Sequence, residues 1–238
     1  MKAIAVIPAR LSSTRLPRKM LVQIVGEPLI ARVYRAVRSS SLLQDVLVAT
    51  DSDEIAQLCQ AKGIPVRLTS AACRNGTERV HEISKAIPAD LYINVQGDEL
   101  LARAEHIAAL LKLMEDPNAP VGTLKTGAAP EDISNPNAVK IVTDKAGRAL
   151  YFSRSTIPFD RDGTKPPYFK HLGFYAYRKA ALDAYVGWPE SPLEHSERLE
   201  QLRFLENGIP IRVAETPYDT IRVDAPEDLR KAEEILRK

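Results

Sequence analysis

The sequence predicts an α/β protein with a mixed, mostly parallel, Rossmann-like sheet flanked by helices. Short apolar runs rich in β-branched residues recur at 3–7, 45–50 and 91–96, and such runs are typical of parallel strands buried on both faces. Amphipathic helical patterns alternate with them, as at 28–38, and this alternation favours a parallel sheet. The 238 residues, 45% of them apolar, suffice for a large core.

Composition narrows the class of protein further. The formal net charge of +2 argues against a nucleic-acid-binding tail or a polybasic membrane patch. Cys59 and Cys73 are too few for a disulfide framework or a zinc site. The chain begins with a strand rather than a signal peptide, and no apolar run approaches the roughly 18 residues of a membrane span. We therefore expect a cytoplasmic protein with no membrane insertion and no nucleic-acid partner.

A cationic loop follows the first strand. The apolar run 3–7 is closed by Pro8, and the next residues combine hydroxyls, at 12–14, with the cations Arg10, Arg15 and Lys19. Ligands of open α/β sheets bind beyond the carboxyl ends of the strands, so this loop suits a polyanion such as a triphosphate. It is neither a Walker loop nor a G-x-G-x-x-G turn. A solvated basic loop is the alternative.

A carboxylate follows the strand predicted at 91–96. Asp98 comes directly after Gly97 and is expected to face the cationic loop, where oxygen ligands together with substrate phosphates would hold Mg²⁺. The alternative is an ordinary turn residue.

Six motifs resemble those of the sugar nucleotidyltransferases, and within them the 3-deoxy-manno-octulosonate cytidylyltransferases. They are P-A-R-x-x-S-T-R-L-P-x-K-x-L with I-x-G-x-P-L-I (8–30), N-G-T-E-R (75–79), V-Q-G-D-E (95–99), N-P-N-A-V-K-I-V (135–142), L-E-Q-L-R (199–203) and V-D-A-P-E-D-L (223–229). The resemblance extends over almost the whole chain. Leu100 and Ala225 depart from it, since the family has proline and threonine there.

The resemblance implies a nucleotide-diphospho-sugar transferase fold with a smaller β-hairpin elaboration that serves dimerisation. It implies that CTP and 3-deoxy-D-manno-octulosonate (Kdo) react to CMP-Kdo and pyrophosphate for lipopolysaccharide biosynthesis, with Mg²⁺ and in a homodimer. We expect residues 1–238 to form one domain. Within it, 1–130 bind mainly CTP, 131–190 form the sugar-binding and dimerisation elaboration, and 191–238 complete the sugar and metal sites.

The resemblance also assigns the nucleotide site. Arg15, Lys19 and Asp98 are the expected catalytic residues, and Asp224 is expected to share the metal with Asp98. The alternative for Asp224 is a helix cap, with Glu227 three residues later. The expected CTP-binding residues are Pro8, Ala9, Arg10, Ser13, Arg15, Lys19, Arg74, Asn75, Gly76, Thr77, Arg79 and Gln96.

The expected sugar-binding residues lie later in the chain. Arg154 falls in an apolar, strand-like run, where a charge is costly unless an anion such as a sugar carboxylate meets it. In the resembled family the strand at 168–178 lines the sugar pocket, which implies that His171 and Tyr175 bind hydroxyls; satisfied core residues are the alternative. A helix predicted from Ser191 to Asn207 carries Glu200 and Gln201, which match polar sugar contacts of the family.

Three other functions stay open. The acceptor could be another acid sugar, such as 8-amino-Kdo or a nonulosonic acid. A metal-dependent glycosyltransferase would usually carry a D-x-D pair, which Gly97-Asp98-Glu99 is not. A nucleotide-sensing subunit would keep the cationic loop and lose a metal carboxylate, whereas this chain retains Asp98 and Asp224.

Overall fold

A computed structural model describes residues 1–13 and 15–237. The strands are β1 Ala3–Ala9, β2 Gln23–Ile24, β3 Glu27–Pro28, β4 Asp45–Thr50, β5 Val66–Leu68, β6 Leu91–Val95, β7 Glu99–Leu100, β8 Val121–Gly127, β9 Lys140–Thr143, β10 Ala149–Ser153, β11 Phe169–Tyr177, β12 Ile211–Glu215 and β13 Ile221–Arg222. The helices are α1 Leu29–Arg38, α2 Asp53–Ala61, α3 Gly76–Ala86, α4 Ala104–Leu113, α5 Pro130–Ile133, α6 Lys179–Gly187, α7 Pro192–Glu197, α8 Leu202–Glu206 and α9 Pro226–Leu236, with a 3-10 turn at Lys19–Leu21.

The chain divides into two compact units. Unit 1 comprises Met1–Ala108 and Thr220–Lys238, and unit 2 comprises Ala109–Asp219. The core of unit 1 is a parallel sheet in the order β6-β1-β4-β5. All seven residues of β1 are buried, as its continuous apolar run predicts. The α/β class with a mostly parallel sheet is therefore confirmed.

The helices of unit 1 cover this sheet. Helix α1 contacts β1 and β4, α2 contacts β4 and β5, and α3 contacts β1 and β6. The apolar positions of α1, among them Leu29, Val33 and Val37, are almost completely buried, so the predicted amphipathic pattern marks the face on the sheet. Within the described part of the chain, no helix combines the length and the apolar character needed to span a membrane.

A short antiparallel ribbon joins the end of β6 to the beginning of the last helix. Strands β7 and β13 pair Leu100 with Ile221 and Glu99 with Arg222. The backbone N–H of Val223 donates to the carbonyl oxygen of Asp98 at 3.1 Å. The ribbon therefore fixes the segment before α9 against the segment after β6, although the two are far apart in sequence.

Unit 2 contains a mixed sheet in the order β10-β9-β11-β8-β12. Strand β8 pairs antiparallel with β11 and parallel with β12. Strand β9 pairs antiparallel with β10 and with β11. The predicted hairpin with its turn at 144–148 is confirmed, and the Asp144 carboxylate stabilises the turn by accepting the backbone N–H groups of Ala146 and Arg148.

The prediction of one helix from Ser191 to Asn207 is wrong. Two short helices, α7 and α8, occupy this segment, because Arg198 takes a left-handed conformation with φ 54° and interrupts the helix. The predicted start is right: Ser191 precedes α7 and Pro192 is its first residue. The break brings Arg203 onto Glu194, where two guanidinium nitrogens donate to the two carboxylate oxygens at 2.6 Å each.

Candidate active site

The cationic loop begins where β1 ends, in the middle of the parallel sheet of unit 1. Lys19 lies in the 3-10 turn that closes the loop, and Arg18 before it has a left-handed backbone with φ 57°. The side chain of Lys19 is buried, which is unusual for lysine and calls for paired anions. Ser13 lines an open groove with Arg18 and Asp51, and Thr14 lies outside the described residues.

Gly97 lets the end of β6 approach this loop. A Cβ atom at position 97 would lie 2.7 Å from the carbonyl oxygen of Pro8 and 3.1 Å from the sulfur of Met20. Because the first of these contacts is with backbone, no side chain fits here without a shift of the main chain. Glycine therefore permits the close approach that brings Asp98 beside Lys19.

Lys19 bridges the two predicted metal ligands. Its Nζ donates to Asp98 Oδ2 at 2.6 Å and to Asp224 Oδ1 at 2.7 Å. The exposed fractions of the three side chains are only 7 to 11%. Arg15 adds an ion pair of 3.0 Å with Asp224 Oδ2. The structure thus brings together four residues that the sequence predicts for catalysis or metal binding.

Asp224 does not cap α9 with its side chain. The Asp228 carboxylate accepts the backbone N–H groups of Asp224 and Ala225 at 2.9 and 2.8 Å, whereas the Asp224 carboxylate faces Lys19 and Arg15. The capping alternative for Asp224 is therefore wrong. Its metal-binding role stays a prediction.

The cations and carboxylates of this cluster stabilise one another in their charged forms. Burial alone would raise the pKa of Asp98, but Arg222 and Lys19 outweigh burial and lower that pKa to about 2. Burial likewise opposes the charged form of Lys19, yet Asp98 and Asp224 raise the pKa of Lys19 above its usual value. Both groups are therefore charged at neutral pH.

The carboxylates fit a magnesium ion that is held jointly with a nucleotide. Asp98 Oδ1 is buried and has no hydrogen-bond partner among residues 1–13 and 15–237, so one hard oxygen donor is left for a ligand. The described residues contain no cluster of three or more His, Cys, Asp or Glu side chains that could hold a metal ion. Two carboxylates completed by phosphate oxygens and water are a usual environment for Mg²⁺.

The predicted base-binding turn lies at the beginning of α3. The Asn75 side chain caps this helix by accepting the backbone N–H of Glu78 at 2.9 Å. A Cβ atom on Gly76 would lie 3.0 Å from Gln96 Nε2 and 3.3 Å from Asn94 Nδ2. Gly76 thus brings the helix terminus close to two carboxamides on the end of β6.

The other residues predicted near the base have partners inside unit 1. Arg10 donates to the carbonyl oxygen of Cys73 at 2.6 Å and so ties the cationic loop to the turn before α3. Arg74 pairs with Glu78 on the helix. Arg79 is fully buried and donates to Thr69 and Asp51, contacts that suit a positioning role better than direct ligand contact. Pro8 and Ala9 end β1, and Thr77 is buried in α3.

In unit 2, Arg154 lies one residue beyond β10 rather than within the strand. Its guanidinium donates to the carbonyl oxygens of Glu197 at 2.8 Å and Pro136 at 2.9 Å, so backbone acceptors offset the cost of partial burial. The Glu197 carboxylate accepts the hydroxyl of Ser153 and the backbone N–H of Arg154. Arg154 therefore joins two segments of unit 2.

The remaining predicted sugar residues also lie in unit 2. His171 contacts the Tyr175 ring, with centroids 5.3 Å apart, and its Nε2 lies 2.8 Å from the Thr123 hydroxyl. Gln201 is buried, and its Nε2 has no hydrogen-bond partner within the described ranges. Glu200 precedes it and is half-buried. The sugar-binding role of these residues stays a prediction.

Sequence reasoning missed several polar residues of these sites. Arg222 lies 3.5 Å from Asp98 Oδ2, and Asn94 is completely buried with an amide that has no partner among the described residues. An asparagine inside an otherwise apolar strand could have revealed Asn94. No local pattern marks Arg222, because its place beside Asp98 depends on the β7–β13 pairing.

Comparisons with known proteins identify relatives of this chain. A family model described as "Cytidylyltransferase" matches residues 4–215. The 3-deoxy-manno-octulosonate cytidylyltransferase of Koribacter versatilis is 63% identical over 99% of this chain and 90% of its own length. That of Acidobacterium capsulatum is 53% identical over 99% of this chain and 97% of its own length.

A solved structure described as CMP:2-keto-3-deoxy-manno-octonic acid synthetase complexed with CTP has a TM-score of 0.93 and 41% identity, covering 100% of this chain and 99% of the other. The chain therefore belongs to the cytidylyltransferases, a class of nucleotidyltransferases, and within them to the family of 3-deoxy-manno-octulosonate cytidylyltransferases.

Proposed function

We propose that this chain transfers the CMP group of CTP to Kdo, giving CMP-Kdo and pyrophosphate. Membership of the family supports the reaction, and one observation supports where it occurs: Lys19 Nζ lies between the carboxylates of Asp98 and Asp224, at 2.6 and 2.7 Å. A buried cluster of cations and hard oxygen donors at the carboxyl end of a parallel sheet is suited to a nucleoside triphosphate with its metal.

Lys19, Arg15 and Arg10 are the residues proposed to bind the triphosphate. Transfer of the nucleotidyl group develops negative charge on the departing pyrophosphate, and fixed cations stabilise that charge. Lys19 and Arg15 contact Asp224, so the cations proposed for the triphosphate lie beside a carboxylate proposed for the metal.

Asp98 and Asp224 are the proposed ligands of Mg²⁺. The ion supplies, when bound, neutralisation of phosphate charge and a lower pKa for a hydroxyl near it. The low pKa of Asp98 keeps this carboxylate ionised at every pH at which the enzyme would work. Asp98 Oδ1, which accepts no hydrogen bond from the described residues, is the proposed donor atom on this side.

The turn before α3 is proposed to recognise cytosine. The carboxamide of Gln96 offers both a donor and an acceptor, which is what discrimination between cytosine and uracil requires. Gly76 approaches this amide closely, since a Cβ atom there would lie 3.0 Å from Gln96 Nε2. Arg79, held by Asp51 and Thr69, supports the helix on which Gly76 lies.

Unit 2 is proposed to bind the sugar acid. We assign the carboxylate of Kdo to Arg154 and its hydroxyls to His171, Tyr175, Glu200 and Gln201. Gln201 supports the assignment best, because its amide nitrogen is buried and has no partner in the part of the chain that the structure describes. Holding the acceptor by its carboxylate and its hydroxyls would fix the orientation of its anomeric hydroxyl.

The proposed location, pathway and oligomeric state accompany the same reaction. We propose a cytoplasmic enzyme that supplies an activated sugar for lipopolysaccharide and acts as a homodimer. We assign the hairpin of β9 and β10 to the dimer interface. The division into a CTP-binding part (1–130), a sugar and dimerisation part (131–190) and a completing part (191–238) stays a prediction.

One experiment tests the function directly. Pyrophosphate release is measured with CTP, Mg²⁺ and, in turn, Kdo, 8-amino-8-deoxy-Kdo and N-acetylneuraminate, with UTP as the nucleotide control. We expect release with CTP and Kdo and little with UTP. Preference for the amino sugar would change the acceptor and keep the chemistry. No release with any acceptor, despite CTP binding, would contradict the proposal and favour a nucleotide-sensing subunit.

A further inference from the structure

Arg222 is a third cation beside the two aspartates. Its Nε lies 3.5 Å from Asp98 Oδ2 and 3.7 Å from Asp224 Oδ2. These distances are at the outer limit of an ion pair, whereas Lys19 approaches the same carboxylates at 2.6 and 2.7 Å. Arg222 thus acts on both aspartates through its charge without being bound as closely as Lys19.

The exposure of the side chains separates Arg222 from the buried part of the cluster. Its side chain is 41% exposed, compared with 7% for Asp98 and 11% for Asp224. A guanidinium at this position is accessible from solvent and lies next to buried carboxylates. Arg222 is therefore accessible to an anion from solvent, whereas the side chain of Lys19 is only 10% exposed.

The backbone of Arg222 is fixed although its side chain is partly exposed. Arg222 pairs with Glu99 in the β7–β13 ribbon, and the next residue, Val223, donates to the carbonyl oxygen of Asp98. Thr220 also donates to the Glu99 carboxylate. The ribbon therefore fixes the backbone of Arg222 beside the end of β6, as a ligand-binding residue requires.

Three cations, Lys19, Arg15 and Arg222, lie within 3.7 Å of the carboxylates of Asp98 and Asp224. Two of them, Arg15 and Arg222, have partly exposed side chains. Cations at a partly exposed edge attract polyanions and speed their association.

We propose that Arg222 is a further substrate-binding residue, which contacts the phosphate chain of CTP. This inference rests on the proposed function, since it takes CTP as the substrate. Arginine is suited to the role because its planar fork of donors matches phosphate oxygens. We assign Arg222 to binding of the phosphate chain and give it no part in the bond-breaking step.

Arg222→Met tests this proposal, with Arg38→Met as the matched control, because Arg38 is exposed at the end of α1 and no described contact links it to either aspartate. Affinities for CTP and for inorganic pyrophosphate are measured by calorimetry in EDTA, so that no metal contributes. We expect both to weaken about tenfold in Arg222→Met, as for one lost charge-assisted contact, and to stay within twofold in Arg38→Met. Arg222→Lys should fall between.

A different result is expected if Arg222 only offsets the charge of Asp98 and Asp224 and binds no substrate. Arg222→Met would then bind CTP and pyrophosphate like the wild type, and that outcome would overturn the proposal, whatever happens to the melting temperature. Arg222→Gln serves as a second variant if Arg222→Met does not fold. Steady-state kinetics add a further readout: the KM for CTP should rise more than kcat falls. Failure of the proposed function is distinguishable, because the wild type itself would then release no pyrophosphate.

Discussion

Lys19 Nζ lies 2.6 Å from Asp98 Oδ2, although the two residues are 79 positions apart in the chain. This contact joins the cationic loop after β1 to the end of β6. Each partner is buried and keeps the other charged, since either charge alone would be costly there. The same ammonium group contacts Asp224, so one lysine bridges both proposed metal ligands.

Replacing Lys19 separates its proposed role in catalysis from its contact with the two aspartates. Lys19→Met should lower kcat with CTP and Kdo by about 10²–10³-fold, the loss typical of a missing group that stabilises transition-state charge. Without the competing ammonium group, the aspartates should bind Mn²⁺ alone more tightly, as measured by electron paramagnetic resonance. Lys62→Met, at an exposed position after α2, is the control for the lost charge. Unchanged turnover in Lys19→Met would refute its assignment.

Substitutions of Asp224 and Asp228 form a matched pair that separates metal binding from helix capping. Asp224→Asn should abolish most turnover, because it removes one metal carboxylate. Asp228→Asn should leave turnover largely intact and lower the free energy of unfolding by about 1 kcal/mol, because Asp228 accepts the backbone N–H groups before α9. Steady-state assays and urea unfolding check both. The reverse pattern would mean that Asp224 is structural.

Gly76→Ala tests the base-binding turn. The added methyl group would lie 3.0 Å from Gln96 Nε2 and should displace that amide. We expect the KM for CTP to rise several-fold and the preference for CTP over UTP to fall, while stability changes by less than about 1 kcal/mol. Gly127→Ala is the control, because among the described residues no atom beyond its chain neighbours lies within 4 Å of its Cβ position. An unaltered KM for CTP would argue against base recognition at Gly76.

The Arg203–Glu194 pair should matter for stability rather than for chemistry. Arg203 is 1% exposed and donates to both oxygens of the buried Glu194, so Arg203→Met would leave a buried carboxylate without its partner. The expected loss is about 3–5 kcal/mol in the free energy of unfolding. A second substitution, Glu194→Leu, should recover only part of it, because Glu194 also accepts the Tyr185 hydroxyl and the backbone N–H of Ser191. Urea unfolding of the two variants measures both values. A loss below about 1 kcal/mol would contradict this role.

Much of the fold could be predicted because burial leaves a local record. The runs 3–7, 45–50 and 91–96 become β1, β4 and β6, since a strand covered on both faces is mostly apolar. The spacing of apolar residues in α1 is equally local. The break at Arg198 could not be predicted, because an arginine with φ 54° depends on tertiary contacts such as that of Arg203 with Glu194.

In the candidate site, too, only residues with a local sequence signal could be predicted. Lys19, Asp98 and Asp224 could be predicted because each belongs to a motif with its own local signature. Arg222 and Asn94 could not, since their importance depends on a strand pairing and on an unmatched buried amide. Arg154 was expected inside a strand, and its actual partners are carbonyl oxygens of distant segments.

The turnover of Asp98→Asn tests the central claim most directly. The substitution keeps the size of the side chain and removes the charge that faces Lys19. With CTP, Kdo and Mg²⁺, pyrophosphate release should fall by at least about 10²-fold while circular dichroism and thermal unfolding show a folded protein. Turnover close to that of the wild type would contradict the assignment of Asp98 to the metal and the site built on it.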